Sequence, residues 1–312
     1  MSVIHVAVGV VRNNQQQILI AKRPRHVHLG GLWEFPGGKV EAGETAQQAL
    51  QRELKEELNI TFSLAHSRPL IKITHQYSEK TVLLDVWLVS DAKGQAYGRE
   101  QQLIKWVTLD QLHQFDLPEA NKAIVTALTL PHRYLITDDF SSQDEFNQRL
   151  NVVIKNNIGL VQLRLKKLNA DAYIDLAKHA TTLCHQHNVK IILNASHEVL
   201  DIINADGLHL TALRLMQYHS RPIANNKYLI ASCHNASEIQ QAAKIGVDAI
   251  VLGPVKKTNS HPEALPLGWQ RFSQLVELAP MPVFALGGLK EVDLQTAREH
   301  GAQGIAGISA WW

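Results

Sequence analysis

Cysteine is nearly absent. Cys184 and Cys233 are the only two in 312 residues, too few for a disulfide framework and without metal-type spacing, so both read as buried free thiols. An excess of one charge is missing as well, since 31 Lys and Arg face 29 Asp and Glu for a formal net charge of +2. That balance offers no basic surface to a nucleic-acid polymer or a membrane. No apolar run approaches the ~18 residues of a bilayer span. The opening stretch MSVIHVAVGVVRNN lacks the basic start of a secretory leader, and its apolar run ends at Arg12. Low-complexity segments and internal repeats are also lacking. What is left is an ordinary core-forming composition, 45% hydrophobic and 19% charged. The length suggests two domains, and cytoplasmic placement is the expectation.

The most informative stretch runs from Gly38 to Ile60, GKVEAGETAQQALQRELKEELNI. A glycine-rich loop, Pro36-Gly37-Gly38-Lys39, leads into a helix whose start is marked by the T-x-x-Q capping box of Thr45 and Gln48. Ala46, Leu50, Leu54 and Leu58 recur every four residues and predict a buried stripe. Arg52, Glu53, Glu56 and Glu57 project from the other side. Three glutamates at i, i+3 and i+4 repel one another. A solvated acidic face is one reading of such a run. The other is a hard cation, Mg²⁺ above all, which takes oxygen ligands and shares them with a substrate phosphate.

Around this helix, residues 2–12 and 17–22 predict a β-hairpin about Asn13-Asn14. A basic loop, Lys22 to His28, precedes Trp33-Glu34-Phe35-Pro36 and is placed to hold a nucleotide. Strands are expected at 69–77, 80–90 and 103–109, and a helix at 121–128. Beyond Pro131-His132 the pattern changes. Short apolar runs at 134–137, 160–163, 190–193, 207–210, 228–231, 249–252, 283–286 and 304–308 alternate with helical stretches. Eight such strands predict a (β/α)8 barrel. The expected division is therefore residues 1–130 and 133–312.

The glutamate-rich stretch matches the Nudix box, G-x5-E-x7-R-E-U-x-E-E-x-G-U with U a bulky aliphatic. Gly38, Glu44, Arg52, Glu53, Leu54, Glu56, Glu57 and Ile60 fall in register, and Asn59 stands where the pattern has glycine. A left-handed residue is needed there, and asparagine is the usual second choice. Across residues 1–128 the chain resembles the MutT branch of the Nudix hydrolases, through AVGVVRN, Trp33–Lys39 and Pro118-Glu119-Ala120-Asn121. That resemblance implies an α/β/α sandwich with a mixed sheet. It also implies hydrolysis of the nucleoside triphosphate 8-oxo-dGTP to 8-oxo-dGMP and pyrophosphate. This activity removes oxidised nucleotides before DNA replication and repair can use them. The implied Mg²⁺ ligands are Glu53, Glu56, Glu57 and the Gly37 carbonyl, with Glu44 and Arg52 bracing the loop. Glu53, Glu56 and Glu100 would be catalytic, Glu100 having a solvated loop carboxylate as its alternative role. Arg23, His28, Glu34, Phe35 and Asn121 match positions lining the nucleotide site. The Asn121 amide can sense the N7 proton of 8-oxoguanine, its alternative role being a helix cap.

Residues 133–312 resemble thiamine-phosphate synthase and its thiazole tautomerase relative, through Leu135-Ile136-Thr137-Asp138, Gln162-Leu163-Arg164, Gly207-Leu208-His209-Leu210, Gly253-Pro254-Val255, Gly287-Gly288-Leu289 and Ile308-Ser309-Ala310. The synthase's two Mg²⁺-holding aspartates are replaced here by Ala195 and Arg214, and Pro254 stands where tautomerases often carry histidine. Gln162, Arg164, Lys166, Gly288 and Ser309 remain. The expectation is a barrel that holds a phosphorylated thiamine-pathway ligand without synthase activity. The alternatives are a Nudix hydrolase for a thiamine-related pyrophosphate, or a barrel active as a thiamine-pathway transferase or isomerase.

Overall fold

The computed structural model describes residues 3–77, 79–99, 101–165, 167–258 and 263–312. Glu100 and Lys166 lie outside them. The chain divides into two compact units, Met1–Thr129 and Leu130–Trp312. Among the described residues no helix is long and apolar enough to cross a membrane.

The first unit contains strands β1 (Val3–Val11), β2 (Ile18–Lys22), β3 (Trp33–Glu34) and β4 (Gly37–Lys39), helix α1 (Ala46–Leu58), strands β5 (Ser67–Gln76), β6 (Thr81–Val89) and β7 (Ile104–Val107), and helix α2 (Glu119–Thr129). They form a mixed sheet ordered β4-β1-β6-β5 and a smaller one ordered β3-β2-β7. The expected hairpin of the first two strands is corrected here. Among the described residues they share no ladder, only an isolated Arg12–Ile18 bridge next to the Asn13–Gln17 turn. β1 is buried continuously from Ala7 to Val11. A strand buried on both faces belongs in a sheet interior, and β1 accordingly pairs with β4 on one side and parallel β6 on the other. The Asn13–Gln17 turn, closed by Asn13 Oδ1 accepting from the Gln17 amide at 2.9 Å, passes the chain into the second sheet.

The α1 helix forms as its sequence dictates. Thr45 and Gln48 complete both halves of the capping box. Ala46, Leu50, Leu54 and Leu58 are buried and pack with Ala7, Val11 and Leu19. The other face of β1, Val8 and Val10, packs with Phe35, Ala120 and Ile124. Asn59 ends the helix at φ 56°, and the carbonyl of Leu54 accepts from both its amide and that of Ile60.

The second unit is a closed barrel of eight parallel strands, β8 (Arg133–Ile136), β9 (Leu160–Leu163), β10 (Lys190–Leu193), β11 (Gly207–Leu210), β12 (Tyr228–Cys233), β13 (Ala249–Leu252), β14 (Val283–Leu286) and β15 (Gly304–Gly307). Helices alternate with them: α3 (Gln143–Lys155), α4 (Ala170–Gln186), α5 (Val199–Ile202), α6 (Ala212–Gln217), α7 (Ala236–Lys244), α8 (Gly268–Val276) and α9 (Leu294–Glu299). Side chains of Ser142, Asn169, Thr211 and Asn235 cap four of these helices. Tyr134, Leu160, Ile192, Ile230 and Phe284 fill the barrel interior. That packed interior leaves the C-terminal rim as the place for a ligand.

The left-handed end of α1 makes a stability prediction. Asn59→Ala loses about 1 kcal/mol, because a Cβ without a local polar partner penalises that conformation. Asn59→Gly stays within about 0.5 kcal/mol of the parent. Urea unfolding of the three proteins measures the difference, and equal losses in both variants contradict it.

Candidate active site and barrel cavity

In the first unit the loop backbone is pressed between β1 and α1. A Cβ on Gly37 would lie 2.0 Å from the Ala7 carbonyl oxygen, and one on Gly38 would lie 2.2 Å from Oε1 of Glu53. Only glycine lets the two meet so closely. Arg52 is the hub of the contacts. Its Nη2 donates to Glu44 Oε1 at 2.8 Å and to the Lys39 carbonyl at 3.0 Å, while Nη1 donates to Glu53 Oε1 at 2.8 Å. Glu56 lies 3.5 Å from the same nitrogen, with its side chain 61% exposed. Glu44 also accepts from the Glu41 amide at 2.7 Å. Hydrogen bonds to Glu44 and Glu53 hold the Arg52 guanidinium more firmly charged, and the bond from Arg52 leads the causes that lower the Glu44 carboxyl below its usual range. Among the described residues no three acidic, histidine or cysteine side chains are gathered tightly enough to enclose a metal. Glu53 is instead turned to Arg52.

The sequence-predicted base residues come together on the other face of β1. Arg23 pairs with Glu34 and donates from Nε to the His28 carbonyl at 3.0 Å. Burial raises the Glu34 carboxyl above its usual range, against the pull of Arg23. The Phe35 amide donates to Asn121 Oδ1 at 3.4 Å across 86 positions of sequence. Both side chains are buried. Two aromatic groups escape sequence reasoning, Tyr77 and His75. Tyr77 meets the His28 ring edge-on at 5.1 Å and the His75 ring at 4.5 Å. Their spacing at the end of β5 is a signal, but the nearness of Tyr77 to His28 is long-range and invisible in the chain.

At the C-terminal rim of the barrel is a cavity of about 670 Å³. Gln162, Arg164, Gly288 and Ser309 line it, as expected, together with Asn194 and Arg214. Gly287 and Gly288 stand at φ +104° and +63°, and a Cβ on Gly288 would fall 2.3 Å from the Lys257 carbonyl. A polar chain that forms part of the cavity lining crosses the barrel. Asn194 Nδ2 donates to Gln162 Oε1 at 3.4 Å, and Gln162 Nε2 donates to the Tyr134 hydroxyl at 3.3 Å. That hydroxyl meets His209 Nδ1 at 3.1 Å, and His209 Nε2 meets Ser232 Oγ at 2.8 Å. With Tyr134 receiving from Gln162, its own proton goes to Nδ1, so Nε2–H donates to Ser232. Burial, with the nearby charge of Arg164, lowers the His209 pKa to about 3. His209 belongs to a stretch the sequence flags, yet its place in the cavity lining does not follow from spacing.

A glycine loop and carboxylate helix on a mixed α/β sheet define a Nudix-type hydrolase unit, and the second unit is a barrel with a cavity at its C-terminal rim. A NUDIX domain family model matches residues 7–127, and a thiamine monophosphate synthase family model matches residues 133–311. The chain belongs to both families, joined in tandem. The first unit is 37% identical over 131 residues to the 8-oxo-dGTP diphosphatase of Escherichia coli, covering 41% of this chain and 98% of that one. A relative in Aquifex aeolicus bearing the name of a second thiamine-phosphate synthase is 32% identical over 182 residues, covering 58% of this chain and 98% of that one. A solved MutT structure, from work on Aliivibrio salmonicida and Vibrio cholerae, is 41% identical, covering 40% of this chain and 94% of that one with a TM-score of 0.35.

The neutral His209 carries a pH signature. Its folded pKa of about 3 lies below the ordinary 6.5. Its contribution is therefore fully present above pH 6.5 and is lost as pH falls toward 3, because only the unfolded chain takes up the proton. Between pH 7.5 and 5 the stability difference between the parent and His209→Gln shifts against the parent by about 2 kcal/mol. Denaturant titration at the two pH values measures it, and a pH-independent difference contradicts the assignment.

Proposed function

We propose that the Nudix unit hydrolyses 8-oxo-dGTP to 8-oxo-dGMP and pyrophosphate, clearing an oxidised nucleotide from the cytoplasm before replication or repair can use it. The barrel, on this reading, holds a phosphorylated thiamine-pathway ligand without condensing synthase substrates. The observation that carries the first part is the buried contact of Asn121 with the Phe35 amide. That contact ties the Asn121 amide, the group proposed to read the base, to the short segment that leads toward the carboxylate helix. The name of the E. coli relative supports the same substrate.

The residues divide the work. Asn121 Oδ1, already accepting from Phe35, has a second lone pair for the N7–H of 8-oxoguanine, and its Nδ2 can donate to O6. Guanine presents a lone pair at N7, so the same contact becomes repulsive. Phe35 supplies an apolar floor, and Arg23, fixed to Glu34 and the His28 carbonyl, shapes the rim. At the phosphate end the donors are all oxygens, which suits a hard divalent cation. Glu53, Glu56, Glu57 and the Gly37 carbonyl would hold Mg²⁺, with Glu100 as a further carboxylate. When bound, that ion supplies charge neutralisation to the triphosphate. Arg52 holds Glu44 and Glu53 in place for it through hydrogen bonds and ties the loop to the helix. The fused barrel favours one rival substrate, a thiamine-related pyrophosphate.

Two variants test the assignment. Glu53→Gln cuts 8-oxo-dGTP turnover by on the order of 10² or more, and near-normal turnover in the folded variant contradicts the role. Asn121→Ala lowers the preference for 8-oxo-dGTP over dGTP by about 1–3 kcal/mol, more than it slows dGTP. A constant substrate ratio with both rates reduced would make Asn121 a structural cap.

A further inference from the structure

We propose that the barrel cavity binds its anionic ligand without a divalent cation, the Arg214 guanidinium taking the place of the metal. The inference rests on the reading of the barrel as a phosphate-ligand module and goes beyond it. Two guanidiniums, Arg164 and Arg214, line one cavity. Neither is within ion-pair distance of a carboxylate among the described residues. Arg214 Nη1 donates to the carbonyl of Ala195 at 2.6 Å, so the guanidinium bridges the two positions where the synthase resemblance places its missing aspartates. The described lining contains no Asp or Glu at all. His209 is neutral, and His234 is held by Glu238 at 2.9 Å.

A divalent cation entering this cavity meets two like charges and no carboxylate, the opposite of the oxygen-rich shell it requires. Two unpaired guanidiniums in one cavity also repel each other, and a phosphate relieves both costs with forked, charge-assisted hydrogen bonds. The Gly287-Gly288 turn and Ser309 form another part of the lining. The amides of these three residues donate to no backbone carbonyl among the described residues. Such turns favour anions. The cavity thus offers arginine forks on the β9–β11 side and a backbone cup after β14 and β15. Its chemistry suits a phosphorylated ligand, bound by side chains and amides alone.

Calorimetry of the full chain with pyrophosphate tests this, run in EDTA and again with Mg²⁺, in a Glu53→Gln/Glu56→Gln/Glu57→Gln background that strips the Nudix unit of its carboxylate metal ligands. Binding in EDTA is expected, weakened at least tenfold by Arg214→Gln and partly restored by Arg214→Lys, with unchanged melting temperatures. Binding that appears only with Mg²⁺ and survives Arg214→Gln overturns the inference and leaves the ligand-module reading standing. No binding under either condition overturns both.

Discussion

Arg52 is the interaction on which the first unit's chemistry depends. One guanidinium bonds Glu44, Glu53 and the Lys39 carbonyl at 2.8–3.0 Å, joining the glycine loop to the helix that follows it. Without a cation, adjacent carboxylates on one helix face repel and the helix loses part of its own stability. With it, Glu44 and Glu53 are held turned toward the loop. The glycines matter for the same reason, since Gly37 leaves no room for a side chain against β1. The capping box and the left-handed Asn59 then set where this helix begins and ends.

On the proposed reading the two units handle anions in opposite ways. The Nudix unit presents excess carboxylate, which suits a ligand arriving with a metal. The barrel cavity presents excess guanidinium, which suits a bare anion. One candidate site lies at a glycine loop on a sheet edge and the other at the C-terminal rim of a barrel. Membership of the synthase family gives the barrel its architecture. Ala195 and Arg214, standing where the synthase resemblance implies carboxylates, give it a different electrostatic character.

Much of this fold was legible in the chain because it is built locally. Each barrel strand is a short, largely buried apolar run; five of the eight predicted runs coincide with the observed strands, and the other three differ by one or two residues at their ends. The α1 helix declared its start, its buried stripe and its end. The hairpin expected about Asn13-Asn14 misled because a turn fixes only local geometry. Which strands flank β1 was decided by burial on both its faces. Site residues followed the same divide. Arg52, Glu44 and Glu53 are near in sequence and were readable together. The Phe35–Asn121 bond, the Tyr77–His28 contact and the Tyr134–His209–Ser232 chain span distant segments, and no spacing rule joins them.

The central claim is that the intact chain prefers an oxidised guanine nucleotide. The direct measurement is kcat/KM of the unmodified protein for 8-oxo-dGTP, dGTP and thiamine pyrophosphate at one Mg²⁺ concentration, with products separated by chromatography. The account predicts an advantage for 8-oxo-dGTP on the order of 10² over dGTP, with 8-oxo-dGMP and pyrophosphate as products. Thiamine pyrophosphate turned over as fast or faster, or equal rates on the two guanine nucleotides, would contradict it.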